Sequence, residues 1–380
     1  MKESCCVEQK ELIGVLTAMQ PICSRRTTIE TTESLLMTFS PHELVIKSTD
    51  LEINVQASIT TTNNTLTQEQ LMLIPGKRLY ELVRELEGSI TLELNGNHLT
   101  VMNATLRVVL NGQNPQDFPD FPERIENFMD IKALDLETLC NSTLFLVPST
   151  HSHTALTGLL VEIDSQGITM TATDGHSLVQ AKNHQYTLEK KKSWLIPRRS
   201  VMELKKIIEN NHDEMLFLGT CGQNFVVSGA RFNFFTKVLH DQFPDYQPII
   251  AVGSDKQDEQ TGIVKKTIFI KALRRCQTLL AGQFLATKFE LKTDSIHISM
   301  QHSPVGTLEE TCALTWPHES VDLNFYAPYL LAGLSIFQKE EITFLVQDSL
   351  KPIIFYETEQ NQDLLYLVMP VCAVNKAGQA

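Results

Sequence analysis

Phe118-Pro119-Asp120-Phe121 returns 125 residues later as Phe243-Pro244-Asp245-Tyr246, and Ile74-Pro75 returns 122 residues later as Ile196-Pro197. Two unrelated landmarks that share nearly one offset mark an internal repeat, which decides the fold before any single motif does. A third helical pattern opens near Tyr326-Ala327-Pro328, so three units of about 125 residues fill the chain. The expected bounds are residues 1–127, 128–252 and 253–380, with the acidic, Gln-rich stretch Gly253–Gln260 as a linker.

Each unit carries similar parts in similar order. Leu79, Leu82, Val83 and Leu86 recur at i, i+3, i+4 and i+7, the apolar stripe of a surface helix. Val201, Leu204 and Ile208 mark the same stripe in the second unit, Leu331 and Leu334 in the third. Alternating strands follow: Ile90–Leu94 and Asn97–Met102 across an Asn95-Gly96 turn, Met215–Leu218 with Phe225–Ser228, and Ile342–Val346 with Pro352–Tyr356. A further helix is expected near each unit's start, at Val7–Met19, Leu134–Phe145 and Thr267–Leu280. Two helices on one face of antiparallel sheets make an α+β unit.

Charge narrows the function. With 32 Lys+Arg against 45 Asp+Glu the formal charge is −13, which excludes a globally basic nucleic-acid binder but not a locally basic surface. At 42% hydrophobic and 20% charged the chain is neither disordered nor collagenous. No apolar run reaches the roughly 20 residues that span a bilayer, and residues 1–23 carry no signal-peptide core. Eight scattered cysteines without a C-x-x-C pair read as reduced thiols in the cytoplasm. The positive charge concentrates on helices. Lys77 and Arg84, seven residues apart, share one side of the first unit's second helix, and Arg199 and Lys206 hold the same places in the second. The third unit departs, with Tyr329 and Ile336 there.

Catalytic and metal readings find little support. Asp174-Gly175-His176 has the composition of a turn rather than of an acid–base pair. His151 and His153 have no carboxylate or thiol close in sequence to complete a metal site. Ser149 and Ser152 lack the glycine pattern of a nucleophile elbow, and there is neither a P-loop nor a G-x-G-x-x-G. No cofactor and no metal is expected.

Thr49-Asp50-Leu51-Glu52, Ala172-Thr173-Asp174-Gly175-His176, Phe243-Pro244-Asp245-Tyr246 and Val368-Met369-Pro370, in this order and spacing, resemble the beta sliding clamp, the processivity subunit of bacterial DNA polymerase III. The resemblance runs from about Val7 to Pro370. It implies a head-to-tail homodimer closed into a six-domain ring around double-stranded DNA, without catalytic residues. It also implies short linear peptides, from the polymerase catalytic subunit, the clamp loader and repair proteins, as partners. The expected DNA lining is Arg26, Lys77, Arg84, Arg198, Arg199, Lys205 and Lys206. By resemblance, Arg107 and Val108 face Leu279 and Leu280 of the other protomer. The implied peptide pocket comprises Leu156, Thr173, Gly175, His176, Leu178, Pro244, Ile249, Leu367, Val368, Met369 and Pro370.

Two departures bear on selectivity. Ser177 stands where the family usually has Arg, and Met369-Pro370-Val371-Cys372-Ala373 replaces the usual ending and runs on to Ala380. Both remove cations beside the pocket, which implies altered partner selectivity. The alternative reading is a divergent clamp copy or a binding scaffold on the same fold. A hydrolase built on Asp174, His176 and a serine is the reading that the residues support least.

Overall fold

The computed structural model describes residues 3–210, 214–251, 260–280, 283–302 and 305–371. The expected linker, except Gln260, and the tail Val374–Ala380 with Cys372 and Ala373 lie outside the described residues. Seven helices are present among the described residues: α1 (Gln9–Cys23), α2 (Gly76–Arg84), α3 (Ala133–Thr143), α4 (Arg198–Glu209), α5 (Gln247–Ala251), α6 (Lys266–Leu280) and α7 (Ala327–Leu334). All strand pairings are antiparallel and gather into sheets of four, eight and twelve strands. The chain forms two compact units, residues 1–137 with 199–238 and residues 138–198 with 239–380.

The first unit holds the four-stranded sheet Glu3–Glu8, Ser89–Asn95, His98–Met102, Arg107–Asn111, in that order. It also holds the eight-stranded sheet, in which Ile53–Thr60 pairs with Phe232–Lys237, with Ala57 opposite Phe232. The second unit holds the twelve-stranded sheet, in which Ser177–Asn183 pairs with Gln362–Val368, with Ser177 opposite Val368. A strand of one repeat therefore joins the last strand of the next, twice. Because the middle repeat extends a sheet in each direction, its strands are shared between the two compact units.

Helices form where the apolar residues recur with helical period. On α1, Leu12, Leu16, Met19, Ile22 and Cys23 are buried, and on α4 Val201, Leu204, Ile207 and Ile208. Gly76 opens α2 because a Cβ there would lie 2.6 Å from Cys23 Sγ, so α1 and α2 meet where only glycine fits. Three expectations shift by small amounts. Pro75 and Pro197 end strands and precede their helices, whereas Pro328 sits inside the first turn of α7. The third stripe is Leu330 with Leu334, since Leu331 is only half-buried. The hairpin turn residues are Gly96 and Asn97, with Gly96 at φ +58. Glycine at the first central position is the type II′ arrangement, whose twist matches that of the flanking strands.

Candidate functional site

The peptide-pocket residues all fall in the second unit. The turn at Thr173–Ser177 is built locally. Asp174 Oδ1 accepts from the His176 and Ser177 amides at 2.9 and 2.7 Å, and Thr173 Oγ1 donates to the Ser177 carbonyl at 2.6 Å. Gly175 supplies φ +88, a backbone conformation that side-chain-bearing residues rarely adopt. Asp174 thus shapes an Asx-type turn rather than orienting an imidazole for catalysis. The Met369 amide donates to the His176 carbonyl at 2.9 Å, fastening the C-terminal strand beside the turn.

Leu178 and Leu367 are buried in a cluster with Ala155, Leu160, Leu195, Tyr246, Leu345 and Ile354, against which Met369 packs half-buried. Leu156 is buried 4.0 Å from where a Gly175 Cβ would be, and Val368 is fully buried. Pro244 and Ile249 are exposed, Thr173 and Pro370 half-buried and His176 exposed. The cleft of about 550 Å³ under Phe243–Gln247 is walled by Leu160, Leu195, Leu239 and Phe243; of the eleven expected pocket residues it includes only Pro244. Ser177 is 2% exposed, so its side chain is turned inward.

An aromatic wall beside this turn escaped the sequence reading. The His176 ring lies 5.2 Å from Tyr329, Tyr329 lies 5.0 Å from Tyr326, and Phe284 lies 4.5 Å from Tyr326 while 56% exposed. Tyr326 and Tyr329, three residues apart at the start of α7, were the available signal. Phe284 offered none.

Beneath the cleft, Tyr246 donates its hydroxyl to Glu162 Oε2 at 2.6 Å, and Lys191 Nζ pairs with Glu162 Oε1 at 2.6 Å. Burial, with the Glu162 contact, pushes the Tyr246 phenol up to about 12. The folded chain then keeps that proton to higher pH than the unfolded chain, where tyrosine titrates near 10. This contribution is full below pH 10 and is lost as pH rises from 10 to about 12. Tyr246→Phe should remove it. Chemical denaturation at pH 9 and 12 should show the native protein losing roughly 2 kcal/mol more than the variant. Equal losses would contradict the assignment.

The candidate DNA-facing cations separate into two kinds. Arg26 is exposed just beyond α1, and Lys77 and Arg84 are exposed on α2, where Lys77 has Glu81 at 3.9 Å and Arg84 makes a surface ion pair with Glu85 at 3.0 Å. On α4, Lys205 pairs with Glu209 at 3.4 Å and Lys206 with the buried Glu203 at 2.8 Å. Arg198 is half-buried, and Arg199 is drawn into an ion pair with Asp50. Arg107 and Val108 lie on the edge strand Arg107–Asn111, whereas Leu280, at the end of α6, is 2% exposed and packed within its own unit. Leu279 is half-buried.

His151 and His153 stack with ring centres 5.9 Å apart, and no group of three or more His, Cys, Asp or Glu among the described residues is placed to hold a metal ion. The seven described cysteines are all free thiols. No helix among the described residues is long and apolar enough to cross a membrane.

The three repeats match the three domain models of one family. Residues 4–122 match the DNA polymerase III beta subunit N-terminal domain, 130–245 its central domain and 256–372 its C-terminal domain. The chain belongs to the DNA polymerase III beta-subunit family. Among its relatives, the beta sliding clamp of Proteus mirabilis is 24% identical over 368 residues, covering 96% of this chain and 98% of that protein. That of Chlamydia pneumoniae is 24% identical over 371 residues, with the same coverage. The fold is that of the Pseudomonas aeruginosa DNA polymerase III subunit beta, with a TM-score of 0.88 at 19% identity over 97% of this chain and 99% of that one. The Bacillus subtilis sliding clamp gives 0.86 at 22% identity over 98% and 100%.

Proposed function

We infer that the protein is a sliding clamp. As a head-to-tail homodimer it encircles duplex DNA and tethers the polymerase and other replication and repair proteins through short peptides, and it has no catalytic role of its own. The observation that carries this reading is the unfinished sheet pattern. Ile53–Thr60 and Ser177–Asn183 each pair with the last strand of the following repeat. The third strand of this kind, Gly306–Thr315, runs along Ser295–His302 and, among the described residues, otherwise meets Gln260–Lys265 only at Leu314 and Thr315. The first repeat's last strand, Arg107–Asn111, ends its sheet. Among the described residues one edge is left at each end of the repeat series, and edges of this kind template pairing with another chain.

Their chemistry is complementary. Arg107 lies on one edge and the exposed Glu309 on the other, and inward residues on both, Val108 and Leu308, are only half covered. Two copies joined head to tail in this way form a ring when the rotation closes. The three domains of each protomer, bounded at 1–127, 128–252 and 253–380, would then make six.

Encirclement gives the charge a meaning. A ring is retained by topology, so its phosphate contacts can be weak and sequence-independent, and a net charge of −13 limits adhesion elsewhere. Exposed Arg26, Lys77 and Arg84 supply such contacts. A replication clamp of this kind works in the cytoplasm. The departures at Ser177 and beyond Pro370 tune which peptides it prefers.

Loading onto a nicked circular duplex by a clamp loader, followed by gel filtration, tests the reading. The protein should travel with the circle and leave once a restriction cut linearises it. Failure to be retained, or equal retention after cutting, would reject encirclement.

A further inference from the structure

The turn at Thr49–Ile53 repeats the turn at Thr173–Ser177 almost atom for atom. Asp50 Oδ1 accepts from the Glu52 and Ile53 amides at 3.0 and 2.7 Å, as Asp174 Oδ1 does from His176 and Ser177. Leu51, at φ +73, takes the place of Gly175, and its amide donates to Thr49 Oγ1 at 3.0 Å. The turn therefore needs only one carboxylate oxygen.

The other oxygen distinguishes the copies. Asp50 Oδ2 receives Arg199, from the first turn of α4, and Arg25, just beyond α1, at 3.5 Å. Arg25 also pairs with Glu52, and Arg199 Nη2 donates to the Pro21 carbonyl in the last turn of α1 at 3.4 Å. The Asp50 side chain is fully buried, while Arg25 and Arg199 are 42% and 33% exposed. Among the described residues no cation forms an ion pair with Asp174. A buried carboxylate is costly unless paired, so these arginines are held to it more firmly than surface ion pairs hold. Arg199 also places a cation at the C-terminal end of α1, where the helix dipole favours it.

Asp50 lies in the stretch that matches the N-terminal domain and Arg199 in the stretch that matches the central domain. We propose that Asp50 is a positioning residue that withdraws Arg199 and Arg25 from phosphate contact and makes them a strut between these two domains. DNA is then met by the exposed Arg26, Lys77 and Arg84. This deepens the clamp reading and rests on it for its DNA readout. Repetition of cations at matching helix positions would place Arg199 with Lys206 on the phosphate-facing surface; Asp50 holds Arg199, and the buried Glu203 holds Lys206 at 2.8 Å.

Two measurements test the proposal, both on the full-length protein. The first is the salt dependence of binding to a short fluorescent duplex between 50 and 200 mM salt, read by anisotropy. Each phosphate contact adds about 0.9 to the log–log slope, or about a 3.5-fold greater loss of affinity over that range. Lys77→Ala should make the slope shallower by about 0.9, and Arg199→Ala should leave it unchanged. Asp50→Asn keeps the amide-accepting oxygen of the turn but releases the arginines, so its slope should become steeper. A shallower slope for Arg199→Ala, matching Lys77→Ala, would overturn the proposal.

The second measurement is a thermal double-mutant cycle on Asp50→Asn and Arg199→Ala, which needs no DNA. Each single substitution should lower Tm, and the double variant should fall no further than the worse single one. Additive losses would overturn the strut. If no variant, Lys77→Ala included, shows salt-dependent binding, the DNA reading fails and the thermal cycle alone decides the strut.

Discussion

Val108→Asp should leave single chains of 42.9 kDa in place of the proposed ring and abolish retention on circular DNA. Val108 stands opposite Val101 on the edge strand Arg107–Asn111, on the half-covered face of that strand. Pairing with Gly306–Thr315 of a second copy would cover it among apolar neighbours such as Leu308. A carboxylate placed there would lose its hydration without gaining a cation. Leaving a charge buried and unpaired costs about 3–5 kcal/mol, a weakening of roughly two to four orders of magnitude per contact. A head-to-tail ring makes the contact twice, so the effect is doubled. The isolated fold should survive, because Val108 is not in the core. Light scattering and a thermal scan on the same sample check both parts. A variant that stays dimeric would remove this edge from the interface.

Met369→Asp should weaken binding of a peptide with Leu and Phe anchors by about 10- to 100-fold while leaving Tm nearly unchanged. The loss corresponds to desolvation of one apolar anchor, about 1.5–3 kcal/mol. Met369 is suited to the role because its half-buried thioether packs on the Leu178 and Leu367 cluster and can rearrange around different side chains. Its backbone is held by the His176 carbonyl, so the substitution should alter the side chain and not the strand. Anisotropy with a labelled peptide gives the affinity. Unchanged binding would move the peptide site away from this strand. The Ser177 departure is of a different kind: an arginine there would have to leave a position that is now 2% exposed, so restoring the cation would also disturb packing.

How far the sequence could be read differs between residues for physical reasons. The stripes of α2 and α4 were legible because a helix buries one face and its apolar residues recur every 3.6 positions. Where two leucines adjoin, as at Leu330 and Leu331, periodicity cannot tell which turns inward, and packing selected Leu330. The turn at Asp174 was legible from Asp and Gly alone, since its hydrogen bonds close within four residues. Helix α5 was missed because five residues leave no period to detect, and Pro248 lies within it. Phe284 was missed because its neighbours Tyr326 and Tyr329 are more than 40 residues away.

The cations expected to face DNA show the same boundary most sharply. Helical spacing put Lys77 with Arg84 and Arg199 with Lys206, and Lys77 and Arg84 are both exposed. That spacing contains no information about Asp50, which lies 149 residues from Arg199. By itself the sequence determined the repeat, the class of each unit and the elements that carry charge, because those depend on local period and turn chemistry. Tertiary structure alone decided which cations stay available, which oxygens are already occupied and which strand edges lack a partner. Burial and ion pairing are properties of groups brought together in space, and the chain order does not encode them locally.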